Sequence, residues 1–127
     1  MPLQVVVFDL FETLVANGPE LWIRSFERIC TIQSLPIQPQ SLWEPWISLE
    51  REFRRRRLDP VTLRPSDPFE SYTEVWTDCF QKVFVELGLS GNARMATKIC
   101  IEDLARRPLF GDTLDVLRKL EGTVQMA

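Results

Sequence analysis

Histidine is absent from this 127-residue chain. That removes the commonest general base, the Ser–His and Cys–His nucleophile pairs, and the commonest zinc ligand. Cysteine is scarce: Cys30, Cys79 and Cys100 stand alone. An odd count at wide spacing builds neither a disulfide framework nor a zinc site. Each sits among apolar residues at helical spacing, so all three are expected to be reduced core thiols. No apolar run approaches the ~18 residues of a membrane-spanning helix. The apolar run near the N-terminus is too short for a signal peptide and lacks a basic flank. The chain therefore reads as soluble and cytoplasmic. Positive charge is not in excess either. With a net charge of −3, nothing asks for a nucleic-acid partner or an anionic membrane. There is no internal repeat and no low-complexity tract. What remains is a chain of one-domain length, 45% apolar, enough for a real core. Any chemistry falls mainly to its carboxylates.

The segment 4–8 is valine-rich and continuously apolar after Gln4, the pattern of a parallel strand buried on both faces. Asn17-Gly18 predicts a hairpin or tight turn. From Pro19 the period becomes helical, with Trp22, Phe26, Ile29 and Cys30 on one side. A proline-containing connection fills 33–40. Ser41 to Glu44 reads as a capping box, and Leu42, Trp46, Leu49 and Phe53 follow at helical spacing. Pro45 sits late in that first turn and is placed to distort it. The helix runs out in Arg54 to Arg57, and 58–66 reads as loop. Asp67 to Glu70 reads as a second capping box. Phe69, Tyr72, Trp76, Phe80, Val83 and Leu87 then form an apolar stripe that Gly88 stops. Ser90 is placed to cap a further helix with Met95, Ile99, Cys100 and Leu104 inward. Gly111-Asp112 opens a last helix with Leu114, Leu117 and Leu120 inward and Gly122 as its stop. Thr123 to Ala127 read as the start of another strand. The first strand has no clear partner within the chain, and unpaired buried backbone groups are costly.

Ligands of open α/β sheets bind beyond the carboxyl ends of strands, and Asp9 falls there. The run Val6-Val7-Phe8-Asp9-Leu10-Phe11-Glu12-Thr13-Leu14-Val15 resembles the first motif of the haloacid dehalogenase-like hydrolases. The Asn-Gly turn looks like that family's flap, residues 19–105 look like its helical cap, and Pro108 to Leu120 look like the return into its core. The plain alternative for Asp9 is a strand-end acid that caps a turn. The resemblance implies an α/β fold whose Rossmannoid core is represented by its first strand and return helix, beneath a mainly α-helical cap. The chain as it stands would be mostly helical. The expected segments are 1–18 (strand, nucleophile loop and flap), 19–105 (cap) and 106–127 (truncated return into the core).

The chemistry the resemblance implies is hydrolysis through a covalent aspartyl intermediate at Asp9. Leu10, Phe11 and Thr13 would form the substrate loop, with Thr13 bracing it by hydrogen bonding. Phosphatase members carry a second aspartate where this chain has Phe11. Losing a general acid costs on the order of 10²–10⁴ in rate. A halide leaving group needs no proton, and dehalogenase members carry an aromatic residue there. The implied substrate is therefore a small organic halide ahead of a phosphate ester. Glu12 replaces the family's glycine and reads as a solvent-facing loop carboxylate. Magnesium would take Asp9 and the Phe11 carbonyl, but the family's last acid is missing, so binding is expected to be weak. The later Ser/Thr, Lys/Arg and acidic motifs are also absent. The expectation is a hydrolase front part inactive alone, with a second chain completing the sheet. The alternative is a non-catalytic fragment or interaction module. Arg24, Arg28 and Arg51 are candidates for a halide-binding arginine of the cap. The Arg51 and Arg54–Arg57 run reads as a solvated helix end, ahead of a phosphate or RNA site. Trp43, Trp46, Trp76 and Phe80 read as helix-packing core, ahead of a substrate pocket.

Overall fold

A computed structural model describes residues 2–127; Met1, the first residue of the expected segment 1–18, lies outside the described residues. The fold is mainly helical with one small parallel sheet. Its elements are β1 (Val5–Val6), α1 (Pro19–Ile32), α2 (Pro39–Arg56), α3 (Tyr72–Glu86), α4 (Ala93–Leu104), α5 (Thr113–Leu120) and β2 (Gln125–Met126).

Helices α1 to α4 pack as a bundle in which α1 touches α2 and α4, α2 touches α3, and α3 touches α4. Every buried apolar residue lies between Trp22 and Cys100, so the hydrophobic core is the bundle's own. Its centre is aromatic. The Trp46 ring lies 5.3–5.5 Å from those of Trp22, Phe26, Trp76 and Phe80. Those distances and the mixed tilted and edge-on angles are the arrangements that ring quadrupoles favour. The expectation that Trp46, Trp76 and Phe80 pack as core holds, and Trp43 packs at its margin, partly buried. All three cysteines are buried and unpaired, as expected.

Several helix starts differ from expectation. α2 begins at Pro39 with Gln38 before it, so Ser41 and Glu44 form no capping box. Proline's fixed φ suits the first helical position and starts the helix upstream of Ser41. Pro45 consequently lies inside the helix rather than in its first turn. α3 is capped by Ser71, whose hydroxyl accepts from the Glu74 amide while the Glu74 carboxylate takes the Ser71 amide. That reciprocal pair displaces the expected Asp67–Glu70 box, and the Asp67–Pro68 bond is cis. Asn92, not Ser90, caps α4 by accepting from the Met95 amide at 2.9 Å. The shift in register leaves Met95 and Phe69 exposed and buries Ala93, Ala96 and Thr97. The stops at Gly88 and Gly122 are as expected; both have the positive φ that glycine adopts without penalty.

β1 and β2 run parallel, with Val5 opposite Gln125 and Val6 opposite Met126. The strand expected over 123–127 therefore exists and pairs with the first one. The expectation of a strand buried on both faces fails. Val5 is 45% and Val7 75% exposed, while Val6 and Phe8 are half-buried. Among the described residues there is only one neighbouring strand, and no buried apolar residue lies outside the helical core. Leu114 on α5 is likewise exposed, and Leu117 and Leu120 are half-buried. Among the described residues no helix is long and apolar enough to cross a membrane.

Candidate functional site

Asp9 lies three residues beyond β1, past the carboxyl end of a parallel strand, and is exposed. The ladder ends beside it, where the Phe8 amide donates to the Ala127 carbonyl at 2.8 Å. The chain then folds into a tight loop. The Leu10 carbonyl accepts from the amides of Leu14 (2.9 Å) and Val15 (3.0 Å), and the Glu12 amide donates to Val15 at 2.7 Å. Glu12 takes a left-handed φ of 61°, at the position where the family motif has glycine.

The tight turn thus falls at Phe11–Val15 and not at Asn17-Gly18. Gly18 is extended (φ −68°, ψ 169°), directly before Pro19. Proline's ring pushes the preceding residue out of turn conformations, and this overrides the Asn-Gly preference. Asn17 is used otherwise. Its amide donates to the Glu12 carboxylate, and its Oδ1 accepts from Arg107 Nε at 2.9 Å. Glu12 is exposed, as expected, and also closes the loop.

The return segment clamps the loop from the other side. The Thr113 hydroxyl donates to the Leu14 carbonyl at 2.7 Å, and the Phe110 amide reaches the same oxygen at 3.2 Å. The Ala16 amide donates to the Pro108 carbonyl at 2.8 Å. Thr13 enters this network through its amide, to Leu10 at 3.4 Å, whereas the side-chain brace comes from Thr113. Leu10 (51% exposed), Phe11 (39%) and Thr13 surround Asp9 on the same exposed loop. An apolar hollow of about 290 Å³ lies alongside, lined by Phe8, Leu10, Leu14, Leu117, Met126 and Ala127.

Arg107 carries no local sequence signal for a role at the loop, since its partners lie 82–90 positions away. It donates from Nη1 to the Leu21 carbonyl at 3.2 Å and to the Ser25 hydroxyl at 3.5 Å, and its guanidinium lies 5.3 Å from the Trp22 ring centroid. Burial lowers its pKa from the usual arginine value. The side chain bridges Asn17 to the first turns of α1, tying the Asp9 loop to the bundle.

Of the three candidate arginines, Arg28 is paired with Asp103 and Arg24 is exposed on α1. Arg51 lines a cleft between α1 and α2. The basic run is a helix end, with Arg56 paired to Glu70 and Arg57 bonded to the Tyr72 hydroxyl. Among the described residues no three His, Cys, Asp or Glu side chains converge as metal ligands. Asp9 stands without a second free carboxylate, because Glu12 is held by Asn17.

No protein-family model matches the chain, and no curated protein matches it.

Proposed function

We propose that the chain is the front part of a haloacid dehalogenase-like hydrolase, with Asp9 as its nucleophile. The observation that carries this reading is the position of Asp9. It is an exposed carboxylate at the carboxyl end of a parallel strand, on a loop pinned by Glu12, Asn17 and Thr113. In parallel α/β sheets that edge is where ligands meet the protein. On this reading α1–α4 form the cap, and β1 and β2 are two strands of a wider sheet. Further polypeptide, of the same chain or a second one, supplies the remaining strands. The apolar exposure of Val5, Val7 and Leu114 supports that completion.

In the first step an Asp9 oxygen attacks the carbon bearing the leaving group. A carbon–oxygen bond forms, the carbon–halogen bond breaks, and halide departs with the bonding electrons. No proton is needed, which suits Phe11 in place of an acid. Water then cleaves the ester at the Asp9 carbonyl carbon, regenerating the carboxylate and releasing an alcohol. That second step needs a base to take water's proton, and the Glu12 carboxylate of the same loop is engaged by the Asn17 backbone amide. The reading is therefore a chain that holds the nucleophile but does not turn over alone.

The test is incubation of residues 1–127 with 2-bromopropanoate, followed by peptide mass mapping. The Asp9 peptide gains one carboxyethyl group, halide release stays at one equivalent or below, and Asp9→Asn shows no adduct. Equal labelling of other exposed carboxylates would sink the reading. The second reading, a non-catalytic interaction module, is favoured by the open sheet itself. It predicts no adduct at Asp9 while the sheet face still captures a partner.

A further inference from the structure

The cleft between α1 and α2 has a chemistry of its own. It holds about 250 Å³, and its walls are Asn17, Pro19 and Trp22 on one side, and Trp43, Ile47, Glu50, Arg51 and Arg54 on the other. Trp43, Ile47, Glu50 and Arg54 recur at spacings of four, three and four, so they share one face of α2. On that face Glu50 is the anomaly. It is 1% exposed, and carboxylates are almost never so buried unless paired. Its pairing is half complete. Oε1 accepts from Arg54 Nε at 2.5 Å, while Oε2 accepts a hydrogen bond from no described residue. Nor is Oε2 among the polar atoms sealed from solvent without a partner. A buried carboxylate thus keeps one acceptor available in a walled cleft.

The charge balance narrows the ligand. Glu50 and Arg54 offset one another. Arg51 has no acidic partner among the described residues, which leaves one positive charge on the wall. The cleft therefore favours an anion. An anion with only acceptors cannot satisfy Glu50, so the ligand must also carry a donor. The half-buried Trp43 indole gives the space a flat apolar wall, Trp22 adds the small part of its ring left by Arg107, Trp46 and Trp76, and the volume suits about ten non-hydrogen atoms.

We propose that this cleft binds a small aromatic carboxylate bearing a hydroxyl group. The carboxylate meets Arg51, the ring lies against Trp22 and Trp43, and the hydroxyl donates to Glu50 Oε2. The site is independent of the Asp9 chemistry. Asn17 nonetheless joins the two, because it lines the cleft and its amide holds Glu12 in the Asp9 loop.

The experiment is a titration of the full 127-residue chain followed by NMR of the four tryptophan indole N–H signals, assigned with Trp22→Phe and Trp43→Phe. The probes are 3-hydroxybenzoate, 4-hydroxybenzoate and benzoate. At least one hydroxybenzoate shifts the Trp43 signal and binds about tenfold more tightly than benzoate, since a hydrogen bond to a charged acceptor is worth about that factor. Arg51→Gln, an exposed change, weakens all binding probes. Glu50→Gln removes the preference for the hydroxyl. If that variant does not fold, the comparison with benzoate on the unaltered chain still decides. Equal affinity for all three probes, shifts that spare Trp43, or no binding at 10 mM would each overturn the proposal. Asp9→Asn binds the probes like the unaltered chain, so failure here and failure of the Asp9 reading remain separate.

Discussion

Trp46 is fully buried and meets four other rings, yet its indole N–H has no acceptor. Two opposed effects therefore sit in one side chain. Trp46→Ala opens a cavity at the centre of the bundle and should cost about 3–5 kcal/mol in urea denaturation. Trp46→Phe keeps a ring and deletes the orphan donor, whose burial costs about 1–3 kcal/mol, so it should cost clearly less. Equal losses for the two variants would show that the N–H finds a partner after all. The cysteines make a second residue-scale case. Burial pushes the Cys100 thiol up to about 12 and Cys79 up to about 11, and raises Cys30 as well. The thiolate is the reactive form. At pH 8 the folded chain should resist a thiol-directed disulfide reagent, and all three thiols should react once it is denatured. Labelling of one thiol in the folded chain would mark a local opening.

At the scale of elements, α3 shows what the sequence can and cannot settle. The middle of its expected stripe (Trp76, Phe80 and Val83) and its Gly88 stop are written locally, whereas Phe69, Tyr72 and Leu87 at the stripe's ends are exposed. Its start is not. Asp67 to Glu70 and Ser71 to Glu74 both have capping-box spacing, and tertiary packing selects the second. The same holds for Asp9. The strand-then-acid pattern was legible, whereas Thr113 and Arg107 were not. They stand 99 and 90 positions from their partners, and only the return of the chain brings them there. The α3 cap carries a pH signature. Hydrogen bonds from the Ser71 amide, and then from its hydroxyl, hold the Glu74 pKa below the usual carboxylate value. The cap's stabilisation is therefore complete above the unfolded-state pKa and is lost as pH falls through the lower folded-state value. Glu74→Gln should lower stability at neutral pH and leave the acid end nearly unchanged, which flattens the acid limb of a stability–pH curve. Ser71→Ala should cost about 1 kcal/mol at neutral pH. An acid limb identical in Glu74→Gln and the unaltered chain would refute the linkage.

For the whole molecule, the decisive fact is that stability and the candidate catalytic loop reside in different places. The buried apolar residues all belong to α1–α4 and the turn after α1. Asp9 lies on the loop that leaves a two-stranded ladder pairing two residues on each side. Isolated ladders of that size are marginal in water, and here Val5 and Val7 leave one face open while Val6 and Phe8 are only half-buried on the other. What holds the ladder is the clamp around it: Glu12 to Asn17, Thr113 to Leu14, and Arg107 to Asn17, Leu21 and Ser25. The bundle should therefore fold without the ladder, whereas the ladder should depend on the clamp. Hydrogen exchange can read both statements on one sample. Amides within α1–α4 should exchange only through global unfolding, and those of Val6, Phe8 and Ala127 much faster, through local opening. Arg107→Gln should raise exchange at Asn17 and the ladder without moving the slowest bundle amides. If the ladder amides were as protected as the helices, the sheet would be an integral part of the core. The proposal that it awaits further strands would then lose its physical basis.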